Sequence, residues 1–382
     1  MRTSAAQAEH DSIIADPPTW RGAVAFVRRL APPRGRAAQG VHDMTAQGFR
    51  IVRSRNIGAS FNRLAATTST LALLALACAP SPARAQTVTT TGDVGDGLGP
   101  VTPGSQPNPW TPNTFLSVGS SGNGTLDIAA GASVTSGTGY IGDSDNGVGI
   151  ITVDGEGSTW TVNGGLKVGI RGKGTLNITN GGTVTSGGAW IGASSTNSNP
   201  VKVNTVNVGG EGSNWTVGGT LFVGGDDYGT GVLNITNGGR VSSTAGRIGY
   251  KGWGTATVTG ANSIWTIRAE TEEGTPIWAD DALVIGFKTP GSLTVADGGE
   301  VDVTGGIQIA VEADDSGTLT LDGMDGARGV LKVQTIVKGA GHATVTFDGG
   351  ILRAATFNGD LLKNFAPGDV TIDAGGAFID SN

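Results

Sequence analysis

The feature that most constrains this chain is a set of motifs that comes back about every 50 to 60 residues. Between 166 and 220 it reads Leu166-Lys-Val168-Gly169, Gly174-Thr-Leu176-Asn-Ile178-Thr-Asn-Gly181-Gly182, Trp190-Ile191-Gly192 and Gly212-Ser213-Asn-Trp215-Thr-Val217. The preceding copy has Leu116-Ser-Val118-Gly119, Gly124-Thr-Leu126-Asp-Ile128, Tyr140-Ile141-Gly142 and Gly157-Ser158-Thr-Trp160-Thr-Val162. The next copy has Leu221-Phe-Val223-Gly224, Leu233-Asn-Ile235-Thr-Asn-Gly238-Gly239, Arg247-Ile248-Gly249 and Ser263-Ile-Trp265-Thr-Ile267. A fourth, eroded copy keeps Leu283-Val-Ile285-Gly286, Leu293-Thr-Val295 and Gly298-Gly299. A period of this length restricts the fold to a solenoid, a propeller or an array of small units.

Each copy divides again. Val168-Gly169 answers Ile191-Gly192, and Leu176 with Ile178 answers Val206 with Val208, so a half copy is about 25 residues. Alternation of Leu176 and Ile178 around Asn177 is the two-residue period of a strand with one face buried. Gly-Gly after Asn180 and Asn237 supplies the positive φ of a tight corner. Three short strands and three corners per half copy describe one coil of a β-helix, with successive coils about 4.8 Å apart. The expected fold is all-β: a right-handed parallel β-helix (solenoid) of about 8 to 10 coils. A kelch-type propeller needs four longer strands per blade and near-equal blades for closure. Six short strands per unit, and starts that drift from 116 to 166, 221 and 283, favour the open stack. Insertions such as Ser194 to Val203 fit loops bulging from it.

The net charge of -7 hides two unlike segments. Residues 1–85 carry 11 Arg and 4 acidic residues, whereas 86–382 carry 14 basic and 28 acidic residues. Residues 1–43 are Ala-, Arg- and Pro-rich without apolar periodicity, and Met44 is a plausible start. Residues 44–85 have the form of a secretory signal: Arg50, Arg53, Arg55 and Arg63, an apolar run from Leu64 to Ala79, then Ala83-Arg-Ala85 before Gln86 as a cleavage point. A membrane anchor is the alternative, but the run is short for a span. Lipoprotein processing at Cys78 has a poor approach in Ala75-Leu76-Ala77. Residues 86–114 are read as a linker or N-terminal cap covering the open edge of the first coil. Residues 115–335 hold the four repeat units. Residues 336–382 continue the alternation without the Ser-x-Trp motif and stop in mid-pattern, which suggests a piece of a longer protein.

Beyond the signal there is no cysteine and one histidine, His342, so stability must come from the stacked core rather than from disulfides. With 66 Gly in the chain, ordering the backbone is costly. Repetitive burial of Leu, Ile and Val, at about 25 cal/mol per Å², has to offset it. Trp160, Trp215 and Trp265 recur once per unit and share a face with Val162, Val217 and Ile267. They are expected to form a structural ladder with Leu126, Leu176, Leu233 and Leu293. An exposed aromatic stripe gripping sugar rings is the competing reading. Leu331 and Val333 in the place of a Trp pair favour packing.

No residue set announces chemistry. The acidic doublets Asp226-Asp227, Asp280-Asp281 and Asp314-Asp315 fall at different repeat positions, and neighbours on a strand face opposite sides. They are read as solvated corners, not as the paired carboxyls of a glycosidase. A lone His342 without a nucleophile elbow makes no triad. The Gly-rich runs lack the Gly-Lys-Ser/Thr of a phosphate loop, and the Gly-Gly-x-Gly-x-Asp calcium array is absent. No catalytic residue, cofactor or metal is expected, and the acidic balance disfavours nucleic acid.

Taken together, Gly-Thr-Leu-Asn-Ile-Thr-Asn-Gly-Gly at 174, Leu-x-Val-Gly at 166 and 221, x-Ile-Gly at 190 and 247, and Gly-x-Gly-Ser-x-Trp at 155 and 210 resemble the type V secretion and PEP-CTERM-associated repeat of bacterial autotransporter passengers. The segment from Phe347-Asp-Gly-Gly-Ile-Leu-Arg to Ile379-Asp is similar to the stretch that commonly comes after those repeats in such passengers. The resemblance covers about residues 115 to 382 and is silent on activity. It implies a non-enzymatic β-helical scaffold, secreted or at the outer membrane and adhesin-like in kind, with an unknown surface, matrix or glycan ligand. Export machinery acting through the signal would be a partner, as would a translocator barrel if the chain is a fragment. Without such a barrel the expected location is the periplasm. The alternative function is a polysaccharide lyase or hydrolase, since parallel β-helices host both.

Overall fold

A computed structural model of the protein describes residues 85–193, 202–226, 229–268, 281–355 and 360–381. The predicted signal segment up to residue 84, most of the Ser194–Val203 insertion, and Asp227 and Asp280 lie outside the described residues. Among the described residues there is no helix. Short strands line up in three sheets that wind into a β-solenoid of about nine turns.

One coil is enough to give the plan. Lys173–Thr179 runs along a wide sheet, Thr183–Ser186 along a second and Ala189–Ile191 along a third. The chain then re-enters the wide sheet one level on, with Val203–Gly209, Asn214–Val217 and Thr220–Val223. We call these the wide, tryptophan and aromatic sheets. Pairing from coil to coil is parallel and in register, apart from an irregularity between Asp281 and Leu283. Leu176 pairs with Val206 and Val206 with Leu233, while Ile178, Val208 and Ile235 form the next column. Leu126, Leu176, Leu233 and Leu293 are all fully buried. Alternate residues of the strands in the central coils thus meet inside one continuous shaft, and the backbone N–H and C=O groups are satisfied by the coil above and below.

Corners explain the glycines. Between the wide and tryptophan sheets, Asn180 (φ 52°) and Gly181 (φ 91°) take left-handed conformations. Asn tolerates that region because its short side chain bonds locally. After the aromatic strand, Gly119 sits at φ 69°. A Cβ there would lie 2.3 Å from the carbonyl carbon of Val148 in the next coil.

The segment 86–114 contributes strands of its own. Thr87–Gly92 lies antiparallel to Asn123–Ala129, the first wide strand, and Gly104–Gln106 lies antiparallel outside it. Trp110 makes a parallel bridge to Val134 and is 8% exposed. One edge of the stack is therefore covered by chain running the other way, which blunts it as a template for further parallel pairing.

Candidate functional site

The recurring Ser-x-Trp motif turns inward. Trp160, Trp215 and Trp265 are each 0% exposed. Along the tryptophan sheet they alternate with valines: Val134 pairs with Trp160, and Val184, Trp215, Val241, Trp265 and Val301 continue the column. The indole N–H donates to a serine in the preceding coil, at 3.1 Å for Trp160 to Ser136, 3.3 Å for Trp215 to Ser186 and 3.1 Å for Trp265 to Ser243. A buried indole needs that acceptor.

The ring also needs space, which the aromatic sheet supplies. Gly139 and Gly246 face it, and a Cβ on either would approach the indole to 2.9 and 3.1 Å. Ala189 holds the equivalent place below Trp215, with Leu166, Leu221 and Leu283 on the coils between. Where the tryptophan is replaced by Leu331, the small residue is replaced by Ile307. Two coils, not one, are therefore the unit that fills the shaft. The corners alternate in step: Asn180 to Gly182 is one residue shorter than Gly210 to Ser213.

The serine of the motif closes that longer corner. Ser213 Oγ accepts from Gly181 N–H at 3.1 Å and donates to Gly209 O at 2.8 Å. Ser158 does the same with Gly131 and Asp154. Both serines are fully buried.

A second group of aromatic residues, not singled out by sequence reasoning, lies outside. The central residues of the aromatic strands point outward and form a column of Tyr140, Lys167, Trp190, Phe222 and Arg247. Trp190 stacks on Phe222 with ring centroids 5.5 Å apart and planes 7° from parallel. Phe222 meets Tyr250 edge-on at 5.1 Å, and Tyr250 stacks on Phe287 at 5.1 Å. Lys167 Nζ lies over the Trp190 ring, 5.7 Å from its centroid. Lys251 lies over the Tyr250 ring and Lys288 over the Phe287 ring, at 5.4 and 5.3 Å from their centroids, so these rings are engaged with each other and with lysines. The signal for them was the unassigned x of x-Ile-Gly (Tyr140, Trp190) and of Leu-x-Val-Gly (Phe222), with the residue just after the glycine (Tyr250, Phe287).

Beside Tyr250 and Phe287 the surface sinks into a concavity of about 310 Å³, also lined by Arg247, Val284, Val311 and Glu312. Its floor is apolar and its rim carries one guanidinium and one carboxylate. Arg247 Nη1 donates to Gly246 O at 2.8 Å. Such a hollow suits a small ring with a polar edge.

The remaining sequence candidates are dispersed. Asp226 lies 3.7 Å from Lys251. Asp315 is 2% exposed, not solvated as its doublet suggested, and its carboxylate accepts from the N–H groups of Lys288 at 2.7 Å and Glu312 at 2.6 Å. It caps a corner. His342 is exposed at the start of the strand His342–Asp348. Gln86, at the expected cleavage point Ala85–Gln86, lies just ahead of the first strand and accepts from Asn108 Nδ2 at 2.8 Å. Among the described residues, no group of three or more His, Asp or Glu is placed to hold a metal ion.

No protein family, curated protein or solved structure matches the chain. What carries a functional reading is therefore the geometry itself and the motifs that build it.

Proposed function

We propose that the protein is a non-catalytic scaffold of the autotransporter-passenger type, an exported rod that presents its surfaces to a matrix, glycan or partner. The observation that carries this reading is the use made of the repeated residues. Where the units carry Trp, Ser and Asn, these are absorbed as packing, indole acceptors and corner caps, so what is repeated serves the shaft. The β-solenoid architecture supports the resemblance to passenger repeats, and the Arg-rich segment followed by Leu64 to Ala79 supports export.

One observation favours a second reading. The concavity holding Glu312 and Arg247 is of a size that seats a sugar ring, as a polysaccharide-cleaving β-helix would require. Incubation of the folded chain with a panel of acidic polysaccharides, with reducing-end and unsaturated-product assays as the readout, separates the two. The scaffold reading expects binding without cleavage. Turnover that disappears in Glu312→Gln would replace it with the enzymatic one.

A further inference from the structure

The wide sheet has an outer surface unlike the rest of the molecule. The column Thr152, Asn177, Asn207, Asn234, Thr257, Thr294, Thr320, Thr346 runs up eight successive coils in register. Asp127 stands below it in the first coil. From Thr152 upward these eight positions hold no charged residue, although residues 86–382 carry 28 acidic and 14 basic side chains. The tryptophan sheet, in contrast, bears outward ion pairs such as Lys332–Asp302 at 3.3 Å and Arg353–Asp380 at 2.9 Å. Charge is thus kept off the middle of the broadest face in particular.

The two halves of that column differ. In the first half the amides satisfy one another, Asn207 Nδ2 donating to Asn177 Oδ1 and Asn234 Nδ2 to Asn207 Oδ1, both at 2.9 Å. In the second half a companion column of Thr255, Ser292, Thr318 and Thr344 runs alongside Thr257, Thr294, Thr320 and Thr346. Among the described residues, the one side-chain hydrogen bond at these eight hydroxyls is Thr371 Oγ1 donating to Thr346 Oγ1 at 3.1 Å. The others are left to water.

The result is a grid two hydroxyls wide and four coils long. Its spacings are about 4.8 Å between coils and about 6.7 Å along the strand. Seven of the eight are threonines, which are stiff at χ1, so their hydroxyls and methyls hold fixed positions before any ligand arrives; Ser292 adds a hydroxyl alone. Water bound to such a grid takes up the repeat of the protein: hydroxyls anchor it and methyls confine it between anchors. No charged side chain stands within the grid, and the nearest along the strands, Asp322 and Asp348, follow Thr320 and Thr346 at the next outward position, along one border. Oxygen layers at the surface of ice have a comparable rectangular repeat. A flexible or soluble ligand gains little from a flat, uncharged, periodic face, whereas a crystalline one meets it at every row.

We propose that the Thr-x-Thr grid of the wide sheet binds ice through a layer of water that it orders. The proposal goes beyond the scaffold reading and needs neither export nor the concavity. The test is partition of the purified full chain into a slowly grown ice fraction, together with inhibition of ice recrystallisation. The wild-type chain is expected to enrich in the ice. Thr320→Lys and, separately, Thr294→Lys are expected to abolish the enrichment while circular dichroism and Tm stay those of wild type. Thr161→Lys, on the outside of the tryptophan sheet, is expected to leave it intact. Wild-type protein that stays in the liquid overturns the proposal. So does equal loss in Thr161→Lys, and so does a dimer broken by Thr320→Lys in a chain that never enters ice.

Discussion

Asp93 shows how single side chains hold this stack where the repeat gives no help. It lies in the N-terminal covering, and its carboxylate accepts from Ser121 N–H and, at 2.8 Å, from Gly122 N–H, both in the first coil. The Ser121 backbone donor is the main cause of a pKa held below the ordinary value of 3.8, with partial burial opposing it. A carboxyl depressed in the folded state stabilises at pH above its unfolded value and loses that contribution as pH falls through the folded one. Wild type is therefore expected to melt above Asp93→Asn at neutral pH, and the gap is expected to close below about pH 3.8. Thermal melts of both proteins from about pH 2.5 to about pH 7, spanning the carboxylate range and read by circular dichroism, check this. A gap that persists at the acid end would show that Asp93 acts without its charge.

At the scale of elements, neighbouring coils are fitted to each other in pairs. A tryptophan in one coil requires a small residue on the aromatic strand of the coil before and a serine on its tryptophan strand. Trp215→Leu is expected to cost about 2 to 4 kcal/mol through the cavity left and the orphaned Ser186. Ala189→Ile alone should cost about 1 to 3 kcal/mol by overpacking. Combined, they should recover at least about 1 kcal/mol of the sum, because Leu331 above Ile307 is that arrangement in the chain's own later coils. Urea unfolding of the four proteins gives the coupling, and strict additivity would mean the two positions do not share a space. Much of this was legible in the sequence: the Leu176/Ile178 alternation gives strand faces, Asn-Gly-Gly gives corners, and Trp beside Val on one face gives burial. The partner of the tryptophan was not. Gly139 reads as one more glycine among many, and only register across the coil shows what it faces. A cap over the first coil is expected within residues 86–114, but its strand Thr87–Gly92 is not legible there, for another reason. It pairs antiparallel on an edge, with one side exposed, and so lacks the unit's motifs. The outer aromatic ladder occupies the variable positions of the motifs, where no residue type repeats, and the concavity depends on side chains spread over several coils, so both show only once the coils are stacked.

At the scale of the whole molecule, the protein is a shaft with three differently dressed faces. The wide face is regular and uncharged along its middle, the tryptophan face carries ion pairs worth little individually in water, and the aromatic face carries the ring ladder and the hollow. Loops vary between coils with little effect on the register within, the exception being a one-residue irregularity between Asp281 and Leu283, because each coil contacts chiefly the ones above and below it. Packing, capping and surface pattern all rest on one coil lying directly over the next. Dipolar distances between spin labels on the outer column of the wide sheet test that most directly, in a chain whose single native Cys78 is replaced by Ser. Labels at Thr152 with Thr294, Asn177 with Thr346, and Thr152 with Thr346 are separated by five, six and seven coils. The expected distances are about 24, 29 and 34 Å, a constant step of about 4.8 Å per coil. Distances that fail to grow linearly with coil number, or that return toward the starting value as in a closed ring of blades, would contradict it.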